Sequence, residues 1–312
     1  MLASPNERCN LRGLYGAGNL LSHSMKRLCI YVMAVVLLAV AALVAMFLSH
    51  PRNMFAWAED AASSHGNALW HIVHELCAPD MMASGNPAPC VTVDLTRGYA
   101  VLKDIQGKTQ YLLVPTAKVV GIESSELLSP KTPNYWAAAW RARTLVEDRI
   151  GHPVPREDIG LAVNSMDGRT QNQLHIHIDC VRPDVRDRLQ REGARIGPGW
   201  TSIDLGESPH HFQAHWLAGD DLGSRDPLRI LADTDPMARY DMGEETLALI
   251  GASRPDGTPG FIMLSNRDNK ANNYTAAAER LLDHKCSIAS IDKYNLEKVV
   301  EILGKPMRAG VR

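Results

Sequence analysis

The stretch "QNQLHIHIDC", Gln171 to Cys180, governs how this chain is read. Along a β-strand successive side chains point to opposite faces, so Gln173, His175 and His177 share one face while Leu174, Ile176 and Ile178 take the other. An apolar face packs on a core. The opposite face aims two imidazoles and an amide at one place. Three chemistries fit that arrangement: the polar side of a half-exposed strand, metal ligation by an H-x-H pair, or attack by a neutral imidazole on phosphorus to form a covalent intermediate.

The flanking sequence supplies a sheet around this strand. "IGLAVNS" precedes it, separated by the "MDGRT" turn. Upstream, "GYAVLKD" (Gly98 to Asp104) and "QYLLVP" (Gln110 to Pro115) read as antiparallel strands joined by the "IQGKT" turn. Thr132-Pro133 is the expected N-cap of a helix over "NYWAAAWRARTLVEDRIG", with Trp136, Trp140, Leu145 and Ile150 as its apolar stripe. Downstream lie a charged helix, "PDVRDRLQRE", and strands at "TLALIGA" and "GFIMLS". Thr275 is expected to cap a last helix, "AAAERLLDHKC", and "SPHHFQAHW" reads as a polar loop. Strand pairs interrupted by helices without a βαβ rhythm predict an α+β fold with a mainly antiparallel sheet and flanking helices.

The chain has 312 residues and a formal charge of −2, a balance that gives no reason to expect nucleic acid as a partner. Leu28 to Leu48 is apolar and uncharged, and as a helix it would span about 31 Å at about 1.5 Å per residue, the thickness of a bilayer's hydrocarbon core. Arg8, Arg12, Lys26 and Arg27 precede it, which keeps residues 1–27 cytoplasmic and puts the rest outside the cytoplasm. Met25-Lys26-Arg27 resembles a natural start, making residues 1–24 an upstream extension. Cleavage after Ala56-Trp57-Ala58 is the alternative to an anchor. The expected organisation is thus a single span at 28–48, a catalytic domain over 59–286 and a tail over 287–312.

Four cysteines lie beyond the span and allow three pairings. Cys77–Cys90 would close a short loop, and Cys180–Cys286 would tie the histidine strand to a C-terminal helix; the alternative is four free thiols in an oxidising compartment. Residues 59–77 read as an amphipathic helix whose His71 and His74 lie on a packed or solvated face. A metal at His175 and His177 would need a third ligand from His210, His211 or His215. No carboxylate spacing supports one, so the reading takes neither metal nor cofactor.

"NSMDGRTQNQLHIHI" resembles the signature of the histidine-triad superfamily of nucleotide hydrolases and transferases. In that register Gln173 occupies the first triad position, His175 the middle and His177 the third. The resemblance implies His175 as nucleophile, His177 as a phosphate hydrogen-bond partner, Thr170 as a hydroxyl contact to phosphate and Asn164 as a polar wall. "VLKDIQGKTQYLLVPT" is similar to the superfamily's nucleotide-cradling hairpin, which implies a ribose contact for Asp104. With "CVRPDVR", "DHKC" and the placement of the four cysteines, the chain resembles the bacterial CDP-diacylglycerol pyrophosphatase family. That implies hydrolysis of CDP-diacylglycerol, met in the lipid bilayer, to CMP and phosphatidate without a metal.

Arg169, Arg182 and Arg186 are candidate diphosphate partners, Arg169 foremost. The sequence departs from the superfamily at Gln173, where the pattern has histidine. Glutamine donates a hydrogen bond but carries no proton to a leaving group. A phosphatidate leaving group ionises near pH ~6, so a modest rate loss is expected. Two other readings stay open: a nucleotidyl enzyme acting on soluble nucleoside diphosphate derivatives, and a catalytically silent binding protein.

Overall fold

The computed structural model describes residues 33–37, 40, 66–206 and 211–290. The chain divides into two compact units, Met1–Ser63 and Ser64–Arg312. Within the expected span Leu28–Leu48, residues 33–37 and 40 are helical; the remainder of it, residues 1–27 and residues 49–65 lie outside the described residues. Among the described residues no helix is long and apolar enough to cross a membrane.

The second unit is built on a ten-stranded sheet. Its strands are β1 (Thr92–Asp94), β2 (Tyr99–Lys103), β3 (Tyr111–Pro115), β4 (Ile159–Val163), β5 (Ile176–Val181), β6 (Thr201–Ile203), β7 (Phe212–Ala218), β8 (Glu245–Ser253), β9 (Pro259–Arg267) and β10 (Leu282–Asp283). They run in the order β1-β2-β3-β5-β4-β8-β9-β7-β6, and β10 pairs with β5. Every ladder among the described residues is antiparallel. The fold is α+β, and the strand read from His175 and His177 runs through its middle.

Alternation along the strands explains the layers. Leu113, Leu161, Val163, Ile176, Ile178, Leu247 and Leu249 face one core. It is capped by helices α3 (Tyr135–Ala142) and α4 (Thr144–Ile150), with Trp136 and Trp140 buried in it and Leu145 and Ile150 packed at its edge. The opposite face carries two separate apolar patches. One joins Ala162, Ala248, Ile250 and Ile262 to Val185 and Leu189 of helix α5 (Pro183–Glu192). The other joins Ala100, Leu102, Leu112 and Val114 to Leu69, Val73 and Cys77 of the N-terminal helical segment. That segment runs from α1 (Ala68–His71) through a π-helical stretch, Ile72–Cys77, into α2 (Ala78–Ser84). His177 pairs with Leu112 of one patch and Ala162 of the other, so β5 turns its polar face to the gap between them.

Disulfides join Cys77 to Cys90, with Cα atoms 5.6 Å apart, and Cys180 to Cys286, 5.1 Å apart. The first ties the helical segment to the edge preceding β1. The second fastens the C-terminal segment to β5 beside the β10 ladder.

Four local expectations are corrected. The N-cap of α3 is Asn134, whose side chain accepts from Ala137 N, whereas Thr132 Oγ1 donates to Glu126 O. "SPHHFQAHW" contributes the strand β7 rather than a polar loop; His211 is exposed, His215 is buried with its ring 5.1 Å from that of Trp200, and residues 207–210 lie outside the described residues. "AAAERLLDHKC" is no α-helix: it forms a 3-10 turn at Ala278–Leu281 and then β10. The helical segment expected over 59–77 instead extends to Ser84, ending at Gly85 in the left-handed region (φ 73°). Beyond Cys286, Ile288 and Ala289 are buried, and residues 291–312 lie outside the described residues.

Candidate active site

Beside the second of these apolar patches, on the polar face of β5, opens a cavity of about 380 Å³. Its polar wall is Asp104, Asn164, Thr170, His175, His177 and Glu279; its apolar wall is Leu69, Ile72, Leu102, Ile105 and Leu112. The structure therefore brings five of the sequence-derived residues to one place. The rings of His175 and His177 stand 4.9 Å apart, edge to face.

The hydrogen-bond partner of His175 defines its tautomer. His175 Nδ1 lies 2.8 Å from the carbonyl oxygen of Gln173, and a carbonyl only accepts, so Nδ1 carries the proton and Nε2 of the neutral ring keeps its lone pair. Burial pushes the His175 pKa below the ordinary imidazole value; the Gln173 carbonyl, Glu279 and Asp104 oppose this, and the Arg169 guanidinium reinforces it. His177 is also held below its usual range, by burial first and by His175 second. Both rings are neutral at pH 7.

Gln173 does not line the cavity. Its amide is buried, with Oε1 accepting from Val119 N at 3.2 Å and Nε2 donating to Pro115 O at 3.0 Å and Ala117 O at 2.8 Å. It pins the backbone after β3 against the segment entering β5. Leu174 N adds a further bond to Val119 O.

Asp104 sits at the end of β2. Its Oδ1 accepts from Gln106 N and its Oδ2 from Gln110 Nε2 at 2.7 Å. The hairpin tip can approach this region because Gly107 has φ +67° and a Cβ there would overlap His284. Asn164 donates through Nδ2 to Glu279 Oε2 and accepts from Glu279 N, both at 3.1 Å.

The three arginines lie elsewhere. The Arg169 side chain is shielded from solvent and binds Glu123 through two 2.7 Å contacts, beside a narrow gap that it shares with His175. Arg182 pairs with Asp184 at 2.7 Å, and Arg186 lies between Asp158 and Asp187 at 3.5 and 3.3 Å; neither lines the cavity. His215 is remote as well, because β4, β8 and β9 separate its strand from β5. His71 pairs with Glu75 and His74 stacks on Trp70, which accounts for that helix face.

Residues 64–290 match the model of the CDP-diacylglycerol pyrophosphatase family. A protein of Yersinia pestis named CDP-diacylglycerol pyrophosphatase is 39% identical over 225 residues, covering 72% of this chain and 86% of the relative. This chain belongs to the CDP-diacylglycerol pyrophosphatase family.

Within the CDP-diacylglycerol pyrophosphatase segment the structure adds residues that sequence reasoning passed over. Glu279 Oε1 lies 3.4 Å from His177 Nδ1 and 3.3 Å from His284 Nε2. Burial alone would push its carboxyl up, but the hydrogen bonds from His284, Asn164 and Gln110 outweigh this and hold it below the usual range. His284 is raised to about 9 by Asp179 and then by Glu279. Asp179, with burial pushing its carboxyl up, is also bonded by Thr109 Oγ1 at 2.6 Å and by Cys180 N. Glu279 and His284 left no local signal: both sit in a stretch whose composition reads as an ordinary amphipathic helix.

Proposed function

We propose that this chain hydrolyses the diphosphate bond of CDP-diacylglycerol, releasing CMP and phosphatidate through a nucleotidyl intermediate on His175. The observation that carries this reading is the 2.8 Å bond from His175 Nδ1 to Gln173 O, which leaves an unprotonated Nε2 on a ring lining the cavity.

Nε2 attacks the phosphorus that bears cytidine, the P–N bond forms, and the bridging P–O bond breaks with its electron pair leaving on phosphatidate. The imidazole becomes cationic, and the Gln173 carbonyl stabilises it by accepting from Nδ1–H. Water then attacks the same phosphorus, the P–N bond breaks with its electron pair returning to Nε2, and CMP leaves with the water's oxygen while the water's surplus proton passes to solvent, leaving His175 neutral again. Dividing one displacement into two in this way is nucleophilic catalysis. Phosphatidate departs as an anion, since its last ionisation falls near pH ~6, so a proton-carrying residue in the place of Gln173 is not required.

Asp104 is suited to ribose hydroxyls at the cavity's edge, and Thr170 and His177 to the phosphate oxygens. Arg169, with its fork already occupied by Glu123, lies beside His175 in this scheme as a positioning group rather than as a free fork for phosphate. The likeness of "GRTQNQLHIHI" to the histidine-triad signature supports the same assignment. The lipid tail of the substrate favours an enzyme held at a bilayer, with the Leu28–Leu48 segment as its anchor and this unit on the periplasmic side; tethering would raise the effective concentration of the lipid.

The test is brief incubation with CDP-diacylglycerol labelled in the cytidine-linked phosphate, followed by acid-labile peptide mapping. A labelled CMP adduct on His175, and loss of both adduct and turnover in His175→Ala, are expected. Turnover in His175→Ala would overturn the proposal.

A further inference from the structure

We propose that Gln110 is a positioning residue that fixes His177 as the Nε2–H tautomer, so that this ring presents a hydrogen-bond donor to the reacting phosphoryl group; the inference rests on the nucleotidyl-transfer reading above.

The argument starts from a 2.7 Å contact between two nitrogens, Gln110 Nε2 and His177 Nδ1. A contact this short between nitrogens holds one hydrogen. An amide nitrogen has no lone pair to offer, so the hydrogen belongs to Gln110 and Nδ1 is the acceptor. The amide cannot be turned round, because its nitrogen also faces Asp104 Oδ2 at 2.7 Å and Glu279 Oε1 at 3.3 Å; an oxygen there would meet two carboxylates. Asp104 and Glu279 therefore orient the Gln110 side chain, and Gln110 orients the ring.

A neutral imidazole carries one N–H. With Nδ1 accepting, that hydrogen is on Nε2. His177 Nε2 is buried and has no hydrogen-bond partner in the structure, although its ring lines the cavity. Burial of a donor without a partner carries a free-energy cost, and a phosphate oxygen of bound substrate would satisfy it. Protonation cannot supply the donor in its place, since burial and the adjoining His175 disfavour the cation. The opposite tautomer would aim a lone pair at the phosphate oxygens and repel them. The adjacent rings thus receive opposite instructions: a backbone carbonyl leaves a lone pair on Nε2 of His175, and a side-chain amide leaves a hydrogen on Nε2 of His177.

The experiment uses the full chain in detergent micelles with 15N-labelled histidine, without substrate. In the wild type His177 should show a non-protonated Nδ1 and a protonated Nε2. Gln110→Glu replaces the donor by an acceptor of nearly the same shape. It should move the hydrogen to Nδ1 and lower kcat about 100-fold, the order lost when one donor to a developing oxyanion is removed, with KM little changed. Gln110→Met, which keeps the shape and offers neither donor nor acceptor, should give a mixture of tautomers and a smaller loss. Near-ultraviolet circular dichroism of each variant reports folding. A wild-type His177 with its hydrogen on Nδ1 would overturn the proposal, as would a Gln110→Glu chain that switches tautomer at unchanged kcat. Failure of the covalent reading would show differently, as wild-type turnover without a His175 adduct, and the nitrogen spectra do not depend on that result.

Discussion

Asp179 Oδ2 and His284 Nδ1 are 3.0 Å apart, a contact that joins the central strand to the segment after β10. With Glu279 on its other nitrogen, the His284 ring is held between two carboxylates and its pKa is raised to about 9. Since an unfolded histidine titrates near ~6.5, this pairing contributes stability that is fully present below pH ~6.5 and is lost as pH rises through about 9. The melting temperature of wild type should therefore exceed that of His284→Asn by most at pH 6, and the gap should close by pH 9.5. A gap that stays constant across this range would contradict the assignment.

Activity should titrate on the acid side. Burial lowers the His175 pKa, so the attacking form persists below the ordinary imidazole value of ~6.5. A profile of kcat/KM against pH is expected to be flat near neutrality and to fall only at lower pH. A limb centred at or above pH 6.5 would show that the buried ring is not the nucleophile.

Gln173 is a clamp, and its removal should register as stability. Gln173→Ala leaves Val119 N, Pro115 O and Ala117 O without their partner, at a cost of about 2–4 kcal/mol. Gln173→His offers one donor and one acceptor to three backbone groups, so it should melt earlier and bring no gain in kcat. A tenfold gain at unchanged melting temperature would restore the view that this position serves the reaction as a proton carrier.

Sequence pattern reached the architecture around β5 well, and for a physical reason. Strict alternation at Leu174, His175, Ile176, His177 and Ile178 separates a core face from a polar one, and Pro183 marks the start of α5. Alternation failed at β7, where the buried His215 looks polar on paper but packs its ring near Trp200. It failed again at "AAAERLL", whose helix propensity yields to distant partners: Ala278 N donates to Thr246 Oγ1 and Glu279 N to Asn164 Oδ1, so amides that a helix would use are taken. The same displacement brings Glu279 to His177, a meeting of residues that no local pattern encodes. Gln110 was legible only as the first residue of a strand, because its work depends on three side chains from other elements.

The Cys180–Cys286 bond closes a separation of 106 residues and holds Glu279 and His284 against β5. In Cys286→Ser the melting temperature should fall, with about 4–5 kcal/mol as the upper bound set by loop closure. kcat should drop by up to about 100-fold, the order lost when groups around a reacting centre are displaced by about 1 Å. Full kcat in the oxidation-incapable variant would mean that hydrogen bonds alone keep the segment in place.

That long closure has a consequence for biosynthesis. A ribosome delivers the strand that follows His175 long before it delivers Glu279, His284 and the cysteine that fastens them, 106 positions after Cys180. A nascent chain halted in between carries both imidazoles yet lacks the acid beside them. Full competence therefore waits on the second cysteine and on an oxidant for the thiol pair.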